Sequence, residues 1–423
     1  MQMNNNIIMP GLEDVKILKV EQMDDRLALF VEMEARTHTC PRCGAKTRQI
    51  HDYRMQKIKH LKWFERLCYI FYNKRRYRCD ACEKRFPEKN NFVERYKRFT
   101  KEWNQAVNVR SVQAKTFKEL AQQYGTSIST VIRRFDAFAE NEVGEVKELP
   151  RVIAIDEYKG DTKEGKYQLI IANGDTREPL DILPNRKGKT ISQYLRKYGA
   201  NVEIVIMDMS HSFKSAVRKA LDHPLIIADH FHFCRYIYWA LDKVRRRIQS
   251  DWNDYDRKKC KKMRYVFYKD SAKLTENERW YLDRYRGMSK ELDMAYQLKE
   301  AYCEWFKQAK ENGSEGMRKT KEGLNTFYQL VRDTGVQEFL RSIRTFKNWE
   351  KEILNSFMYS YSNGFLEGIN NHTKVIKRNA YGFRNFKRAR ARILLSGSII
   401  NVGVNKRFKK KRHTTPNFLL YLN

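Results

Sequence analysis

Cysteine, long apolar runs and acidic side chains are all scarce in this sequence of 423 residues. Eight cysteines are too few for a disulfide scaffold in a chain of this length. No run approaches the roughly 18 apolar residues that a membrane-spanning helix needs. The opening residues MQMNNNIIMPGLEDVK lack the basic and apolar regions of a secretory signal. We therefore expect a cytoplasmic protein with no membrane partner.

The shortage of acidic residues leaves a large positive charge. Asp and Glu number 51 against 84 Lys and Arg, which gives a formal net charge of +33 at pH 7. Hydrophobic residues make up 41% of the chain, enough for packed cores, and this excludes a disordered basic tail protein. The length predicts about two to four domains. The charge predicts a polyanionic partner, with nucleic acid ahead of an anionic membrane surface.

Four of the cysteines form two CxxC pairs, Cys40 with Cys43 and Cys79 with Cys82. Thiolates two residues apart on a tight turn can both face one cation, and four thiolates leave no open position on tetrahedral Zn²⁺. The spacing predicts one structural zinc in a zinc ribbon. The stretch between the pairs alternates like a strand and predicts a hairpin. His51 and His60 are alternatives for one of the thiols.

Two short amphipathic helices are predicted at 117–124 and 128–135, where apolar residues recur at i, i+3, i+4 and i+7. Gly125 is expected to end the first helix and Ser127 to cap the second. Two helices joined by so short a turn are typical of a helix-turn-helix.

The outward face of the second helix carries side chains suited to base edges and phosphates. The predicted DNA-binding residues on this helix are Ser129, Thr130, Arg133 and Arg134. The alternative interpretation is a helical hairpin packed in a core.

From Pro150 the pattern becomes three strands, a helix, a strand, a helix, a strand and a helix. This is the element order of the ribonuclease H-like fold, in which the first and fourth strands lie side by side. Asp156 follows the apolar residues VIAI at the expected end of the first strand, and Asp208 follows IVIM at the end of the fourth. We expect the two carboxylates to be neighbours.

A later helix, beginning near Tyr361, carries a third candidate carboxylate. Glu367 heads a polar stripe that continues with Asn371, Lys374 and Arg378, opposite an apolar face. Such a stripe is often only a solvated face, but a helix packed on the sheet could bring Glu367 over Asp156 and Asp208. Three close carboxylates repel one another unless cations lie between them, and hard oxygen ligands select Mg²⁺ or Mn²⁺. Two such ions can promote in-line phosphoryl transfer.

Taken together, CPRCG, CDAC, the helix-turn-helix, AIDEY, IVIMDMS, IIADHFH and SNGFLEGINNHTKVIKRNAYGFRNFKRAR closely match one family. Across nearly the whole chain the sequence resembles the ISL-three family of insertion-sequence transposases. The resemblance implies a DDE catalytic triad of Asp156, Asp208 and Glu367 with two Mg²⁺ or Mn²⁺ ions. It departs from the usual family pattern at His372 and Thr373, and after Ser210.

The resemblance also implies the reaction and its partners. Water attacks a phosphodiester at the end of the element, and the freed 3′-hydroxyl then attacks target DNA. Terminal inverted repeats and target DNA are the expected partners, at least a homodimer is expected, and the protein would be associated with the nucleoid. Asn371, Lys374, Lys377 and Arg378 are expected to bind DNA beside Glu367. Asp229, His230 and His232 are interpreted as structural or auxiliary.

The predicted fold class is a multidomain α+β and α/β protein with a ribonuclease H-like mixed-sheet core, interrupted by an all-helical insertion. The expected domains are a zinc ribbon (1–99), a helix-turn-helix (100–147), the first part of the core (148–245), the insertion (246–350), the second part of the core (351–402) and a basic tail (403–423).

Two alternative functions remain open at the sequence level. One is an RNA-guided or other ribonuclease H-like nuclease. An RNA-guided nuclease also combines a ribonuclease H-like core with a zinc ribbon, but there the ribbon lies between catalytic carboxylates. Here both CxxC pairs precede every candidate carboxylate. The other alternative is a DNA-binding regulator whose core has lost activity.

Overall fold

The computed structural model describes residues 11, 12 and 14–405, with side chains up to residue 396. The chain forms two compact units. The first holds the described residues up to 144 together with 376–383 and those from 387 onward, and the second holds 145–375 and 384–386. The expected bounds of the six domains stay predictions, and residues 406–423 of the predicted basic tail lie outside the described residues.

A five-stranded sheet dominates the N-terminal part of the first unit. Its strands are β1 (Val15–Gln22), β2 (Arg26–Met33), β5 (Ile50–Lys59), β6 (Leu67–Arg78) and β7 (Arg85–Pro87), while β3 (His38–Thr39) and β4 (Lys46–Thr47) form a separate pair. The order is β1-β2-β6-β5, and β7 also pairs with β6. β2 and β6 are parallel, and β5 and β6 are antiparallel. The predicted hairpin between the two CxxC pairs is therefore confirmed.

The alternation of β6 explains why this sheet packs on one side. Cys68, Ile70 and Tyr72 are buried and alternate with less buried neighbours. Their period of two places them on one face of the sheet, beside Leu29 and Val31 of the neighbouring strand β2, in a common core.

Three helices follow the sheet in the first unit. They are α1 (Lys101–Gln113), α2 (Phe117–Gln123) and α3 (Ile128–Glu142). The hydroxyl of Ser127 accepts the backbone N–H of Thr130 at 3.2 Å, so the predicted cap is confirmed. Gly125 has a φ of +57° in the turn before α3, which favours glycine.

One residue of the predicted apolar pattern does not face the core. Val131 and Phe135 are fully buried, but Ile128 is 43% exposed. Ile128 lies in the first turn of α3, and the core against α1 and α2 begins only at Val131. The prediction that Ile128 packs inward is therefore wrong.

The second unit contains a mixed sheet. Its strands are β8 (Val152–Thr162), β9 (Gly165–Asn173), β10 (Pro179–Leu183), β11 (Ile204–Met207) and β12 (Leu225–Ala228). The order is β10-β9-β8-β11-β12. β8 is antiparallel to β9 and parallel to β11, and β11 is parallel to β12. The first and fourth strands of this unit are neighbours, as predicted.

The expectation that Asp156 ends its strand is wrong. β8 continues to Thr162, so Asp156 lies inside it. The strand is longer than its apolar run because β9 still pairs with β8 beyond the point where β11 stops, as at Lys159 and Tyr167.

Helices cover the rest of the second unit. They are α4 (Gly188–Tyr198), α5 (His211–Ala220), α6 (His230–Gln249), α7 (Asp254–Lys262), α8 (Glu276–Gly287), α9 (Lys290–Asn312), α10 (Met317–Thr334), α11 (Gln337–Asn348) and α12 (Glu350–Met358), with 3₁₀ turns at Arg264–Phe267 and Ser271–Lys273. Along the chain α13 (Gly364–Asn379) and α14 (Phe386–Asn405) follow; α13 begins in the second unit, whereas α14 from residue 387 onward belongs to the first. Thr275 and Glu278 form a capping box at the start of α8. Within the described residues, no helix is long and apolar enough to cross a membrane.

Candidate active site and metal sites

The four predicted zinc ligands come together in the first unit. The Sγ atoms of Cys40, Cys43, Cys79 and Cys82 all lie within 4.8 Å of one another. The Cys40 and Cys82 sulfurs are 3.5 Å apart, as are those of Cys43 and Cys79. Four converging thiols fit a closed, tetrahedral zinc site. Among the described residues, His51 and His60 are not part of this group.

The two CxxC turns have the same backbone geometry. In the first, the N–H of Gly44 donates to the carbonyl of Cys40 at 3.0 Å. In the second, the N–H of Glu83 donates to the carbonyl of Cys79 at 2.8 Å. Gly44 has a φ of +76° and Glu83 one of +57°. Both turns thus direct their thiols inward through a left-handed residue just after the second cysteine.

The predicted DNA-binding residues of α3 lie on its accessible side. Ser129 and Arg133 are exposed, while Thr130 and Arg134 are half-buried. The hydroxyl of Thr130 lies 2.9 Å from that of Ser127, so it also takes part in the helix cap. Nothing in the structure tests DNA contact by these four residues, which stays a prediction.

In the second unit, strand register brings three aspartates into one row. Ile155 of β8 is paired with Met207 of β11, and Met207 is paired with Ala228 of β12. The next residue along each strand direction is Asp156, Asp208 or Asp229. Neighbouring strands lie about 4.8 Å apart, so the three carboxylates share one edge of the parallel part of the sheet.

A histidine joins this row from α6. His232 Nε2 lies 2.8 Å from Asp208 Oδ1 and 3.9 Å from Asp229 Oδ2. Ligand atoms of Asp208, Asp229 and His232 all lie within 4.8 Å of one another. In the described part of the chain, neither Asp156 nor Glu367 belongs to this tightest group.

The sequence predicts a structural or auxiliary role for Asp229 and His232, and the structure places both beside Asp208. A signal was present in the sequence. Each of the three parallel strands ends its apolar run in the same way, with VIAI, IVIM and LIIA each followed directly by Asp. Parallel strands in matched register align the residues that follow these runs. The sequence therefore indicates Asp229 as a member of the site as clearly as it indicates Asp156 and Asp208.

The environment of Asp156 favours its protonated form when no cation is present. Burial and the negative charge of Asp208 raise the pKa of Asp156 to about 7. The backbone N–H of Glu157, which donates to Asp156 at 2.7 Å, acts in the opposite direction. Burial likewise raises the pKa of Asp229, although His232 opposes the shift. Buried, mutually repelling carboxylates of this kind fit a cation site.

An unpredicted amide orients Asp156. Asn370 Nδ2 donates to Asp156 Oδ2 at 2.6 Å, and Asn370 is only 6% exposed. On α13 the buried stripe is formed by Leu366, Asn370 and Thr373. The sequence pattern predicts the exposed polar stripe of α13, but it does not predict that the amide of Asn370 is buried.

Glu367 lies one helical turn before Asn370 on α13. Its side chain is exposed, as are those of Asn371, Lys374 and Arg378 in the predicted polar stripe. Residues three apart on a helix are neighbours on its surface. Since Asn370 contacts Asp156, α13 brings Glu367 to the same region of the unit as the aspartate row.

A small cavity opens beside Asp208. It measures about 170 Å³ and is bordered by Glu157, Arg186, Asp208 and neighbouring residues that include Ser210, His232 and Arg235. Arg186 is held by Glu157, to whose Oε1 it donates at 2.6 Å. Arg235 packs its guanidinium 4.6 Å from the centre of the Trp239 ring. The cavity therefore combines carboxylates with two guanidinium groups.

Three protein-family models match this chain. Residues 153–393 match a transposase model of the ISL3 type, residues 36–82 match the zinc-finger of transposases IS204, IS1001, IS1096 and IS1165, and residues 88–139 match the helix-turn-helix domain of transposase family ISL3. The first match alone covers more than half of the chain. The chain belongs to the ISL3 family of transposases.

Relatives of this transposase cover most of the chain. The transposase of insertion sequence IS1001 from Bordetella parapertussis is 24% identical over 387 residues, which are 89% of this chain and 93% of the relative. The IS1557 transposase from Mycobacterium tuberculosis is 22% identical over 296 residues, 63% of this chain and 64% of the relative. The resemblance stated from the sequence is thus confirmed, and it favours a transposase over an RNA-guided nuclease.

One similar protein carries a different name. A Lactococcus lactis protein named ATP-dependent protease is 27% identical over 273 residues, 55% of this transposase and 83% of that protein. A phosphate-binding loop requires a glycine five residues before the GK[ST] triplet. Here Gly188, Lys189 and Thr190 form such a triplet, but Leu183 occupies the glycine position. The sequence therefore offers no nucleotide-binding loop at this place.

Proposed function

We propose that this transposase cuts and joins DNA in a DDE-type, divalent-cation-dependent reaction within a ribonuclease H-like core. The observation that carries the proposal is the row formed by Asp156 within β8 and by Asp208 and Asp229 directly after β11 and β12. Asn370 of α13 donates a hydrogen bond to Asp156. The sheet order, with its first and fourth strands parallel and adjacent, supports the ribonuclease H-like assignment.

The donor set fits divalent cations. Carboxylate oxygens are the ligands that Mg²⁺ and Mn²⁺ prefer, and the imidazole of His232 is more acceptable to Mn²⁺ than to Mg²⁺. Two such ions, when bound, promote attack by an oxygen nucleophile and stabilise the leaving oxygen. Asp156 and Asp208 would hold the ions, and Glu367 of α13 would complete the triad.

The other residues of the site would orient the carboxylates or bind the DNA. Asn370 fixes the rotamer of Asp156 through its 2.6 Å hydrogen bond. His232 Nε2, 2.8 Å from Asp208 Oδ1, would bind the same cation as Asp208. Arg186 and Arg235 border the cavity next to Asp208 and are placed to bind the scissile phosphate. Lys374, Lys377 and Arg378 would contact the flanking DNA backbone.

In the same proposal, α3 binds the terminal inverted repeats of the element through Ser129, Thr130, Arg133 and Arg134. One structural Zn²⁺ per chain stabilises the N-terminal domain. Target DNA is the second substrate, at least two protomers assemble on DNA, and the protein acts in the cytoplasm at the nucleoid.

Strand cleavage tests this proposal. A labelled duplex carrying one end of the element is incubated with Mg²⁺ or Mn²⁺ and with Asp156→Asn, Asp208→Asn or Glu367→Gln. Each variant is expected to bind the duplex as the unaltered protein does and to leave it uncut. Cleavage at the normal rate by any one of them would remove that residue from the triad. An unaltered protein that binds the duplex but never cuts it would support the alternative of a DNA-binding regulator without activity.

A further inference from the structure

A concave basic surface lies on the first unit, and none of the residues that the sequence assigned to DNA lines it. This groove, of about 890 Å³, has fourteen lining residues, and eight of them are Lys or Arg. Of the described residues that line it, none is Asp or Glu. We call it the β5 groove, because Arg54, Lys57 and Lys59 of that strand line it.

The groove is built from a sheet edge and a following segment. β5 is the last strand of its sheet. The segment 95–99 is held beside it, because the N–H of Lys59 donates to the carbonyl of Arg98 at 2.9 Å and Gln56 Nε2 donates to that of Lys97 at 3.1 Å. These contacts fix the two walls, so the groove is formed before any ligand binds.

Its positive charge is poorly compensated within the protein. Arg76 of the lining is paired with Asp52 at 3.1 Å. Arg54, Arg95 and Lys97 are all exposed, and no ion pair between described residues involves any of these three. Lys74, which is paired with Arg54 across the strands, has its pKa lowered by burial and by the nearby charge of Arg95. A merely solvated surface would intersperse acidic residues, whereas this groove concentrates one sign of charge.

An exposed aromatic ring stands at the rim. Tyr96 is 85% exposed and has a φ of +63°, which is costly for a bulky residue. The guanidinium of Arg95 lies 4.7 Å from the centre of its ring. Strained, exposed residues of this kind occur at sites that bind ligands.

The β5 groove continues into the helix-turn-helix. Phe99 lines the groove, stacks on Trp103 of α1 at 4.1 Å, and lies 5.7 Å from the guanidinium of Arg134 on α3. Lys59 Nζ donates to the carbonyl of Gly125 in the turn before α3. A duplex that meets the exposed side of α3 therefore has the groove directly beside it.

We propose that the β5 groove binds the sugar-phosphate backbone of the same duplex that α3 contacts, along an adjacent stretch of that duplex. Uniform positive charge without acidic residues suits phosphates rather than a protein surface, and the Tyr96 ring suits a deoxyribose face. The inference rests on DNA binding by this chain and not on the catalytic site, so loss of cleavage would leave it untouched.

The test removes three groove charges and compares them with three charges elsewhere. The groove variant is Arg54→Ala, Arg95→Ala and Lys97→Ala. The control variant is Lys319→Ala, Lys321→Ala and Lys351→Ala, all exposed residues of the helical region. Both are made in an Asp208→Asn background, so that the DNA stays intact. Zinc content and melting temperature confirm that each variant is folded.

Affinity for a duplex carrying the end of the element is measured from low to moderate salt. The slope of log K against log salt changes by about 0.9 per phosphate contact, so the groove variant should lose a slope of roughly 2 to 3. Hydroxyl-radical footprints should shorten on one side of the region that α3 protects. A groove variant with the slope and footprint of the control would overturn the proposal.

Discussion

Within the aspartate row, Asp156 is the residue whose pKa is shifted furthest by its surroundings. Its pKa of about 7 lies well above the ordinary value of 3.8, because the carboxyl is buried beside Asp208. Between these two pH values the unfolded chain is ionised while the folded one holds the proton. Without cations, the contribution of Asp156 to stability is therefore present below about pH 4 and is lost as the pH rises through 7.

Because the raised pKa of Asp156 lowers stability as the pH rises, it predicts the effect of Asp156→Asn. In buffer free of Mg²⁺ and Mn²⁺, with the zinc left in place, the variant should be more stable than the unaltered protein at pH 8, by roughly 2 kcal/mol. At pH 4 the difference should nearly vanish. Scanning calorimetry at both pH values measures it, with the fully exposed Asp222→Asn as control. Equal melting temperatures at pH 8 would show that Asp156 carries no buried negative charge.

Asn370 gives a second prediction at this scale. Replacing it with Leu removes the amide that holds Asp156 but keeps a similar volume. Loss of a group that orients a metal ligand typically lowers metal affinity by about 10- to 100-fold. Mn²⁺ titration followed by electron paramagnetic resonance should show this loss for Asn370→Leu and not for the neighbouring, exposed Asn371→Leu. Unchanged Mn²⁺ affinity in Asn370→Leu would mean that Asp156 is not a ligand or needs no orientation.

Some residues of the two sites can be predicted from the sequence, and others cannot. The four cysteines, Asp156 and Asp208 can be singled out from the sequence because spacing and apolar runs are local signals. Asn370 cannot, because its role depends on which face of α13 is buried, and a helix with both apolar and polar stripes leaves that open. Thr373, on the same buried stripe, is only 1% exposed although it was assigned to neither face.

At the scale of elements, the two CxxC turns are equivalent in geometry but not in sequence. Gly44 and Glu83 occupy matching left-handed positions. Glu83 shows that a side chain can be accommodated there, at the cost of strain in the backbone.

A substitution at Gly44, in the first CxxC turn, tests whether a side chain at the left-handed position strains the backbone. Gly44→Ala should destabilise the zinc domain by about 1–2 kcal/mol and accelerate zinc release to a chelator, since nothing but the backbone conformation opposes the new methyl group. Gly44→Asn should be milder, because Asn tolerates the left-handed region. Gly287→Ala, in open space on α8, is the matched control. Identical release from Gly44→Ala and the control would refute the argument.

Element order was more predictable than element ends. The alternation of apolar runs and helical periods gave the strands and helices of the second sheet in sequence. The end of β8 was misplaced because pairing with β9 extends it past its apolar residues. Ile128 was misplaced because periodicity cannot tell where a core ends along a helix.

At the scale of the whole molecule, the net charge of +33 fits a protein that binds DNA. In the proposed function the first unit carries α3 and the second carries the aspartate row. Joining two ends to a target requires both ends in one complex. We therefore expect two chains and two end duplexes in the assembled complex, a stoichiometry that light scattering of the purified complex measures. A complex of one chain with one duplex that still completes strand transfer would contradict this expectation.

Cation binding at the aspartate row is central to the proposed reaction, and crystals grown or soaked with Mn²⁺ test this binding most directly. Anomalous difference maps should show Mn²⁺ within about 2.5 Å of oxygens of both Asp156 and Asp208, and Asp208→Asn should lose that peak together with DNA cleavage. A row without Mn²⁺ in a protein that still cuts DNA would contradict the account.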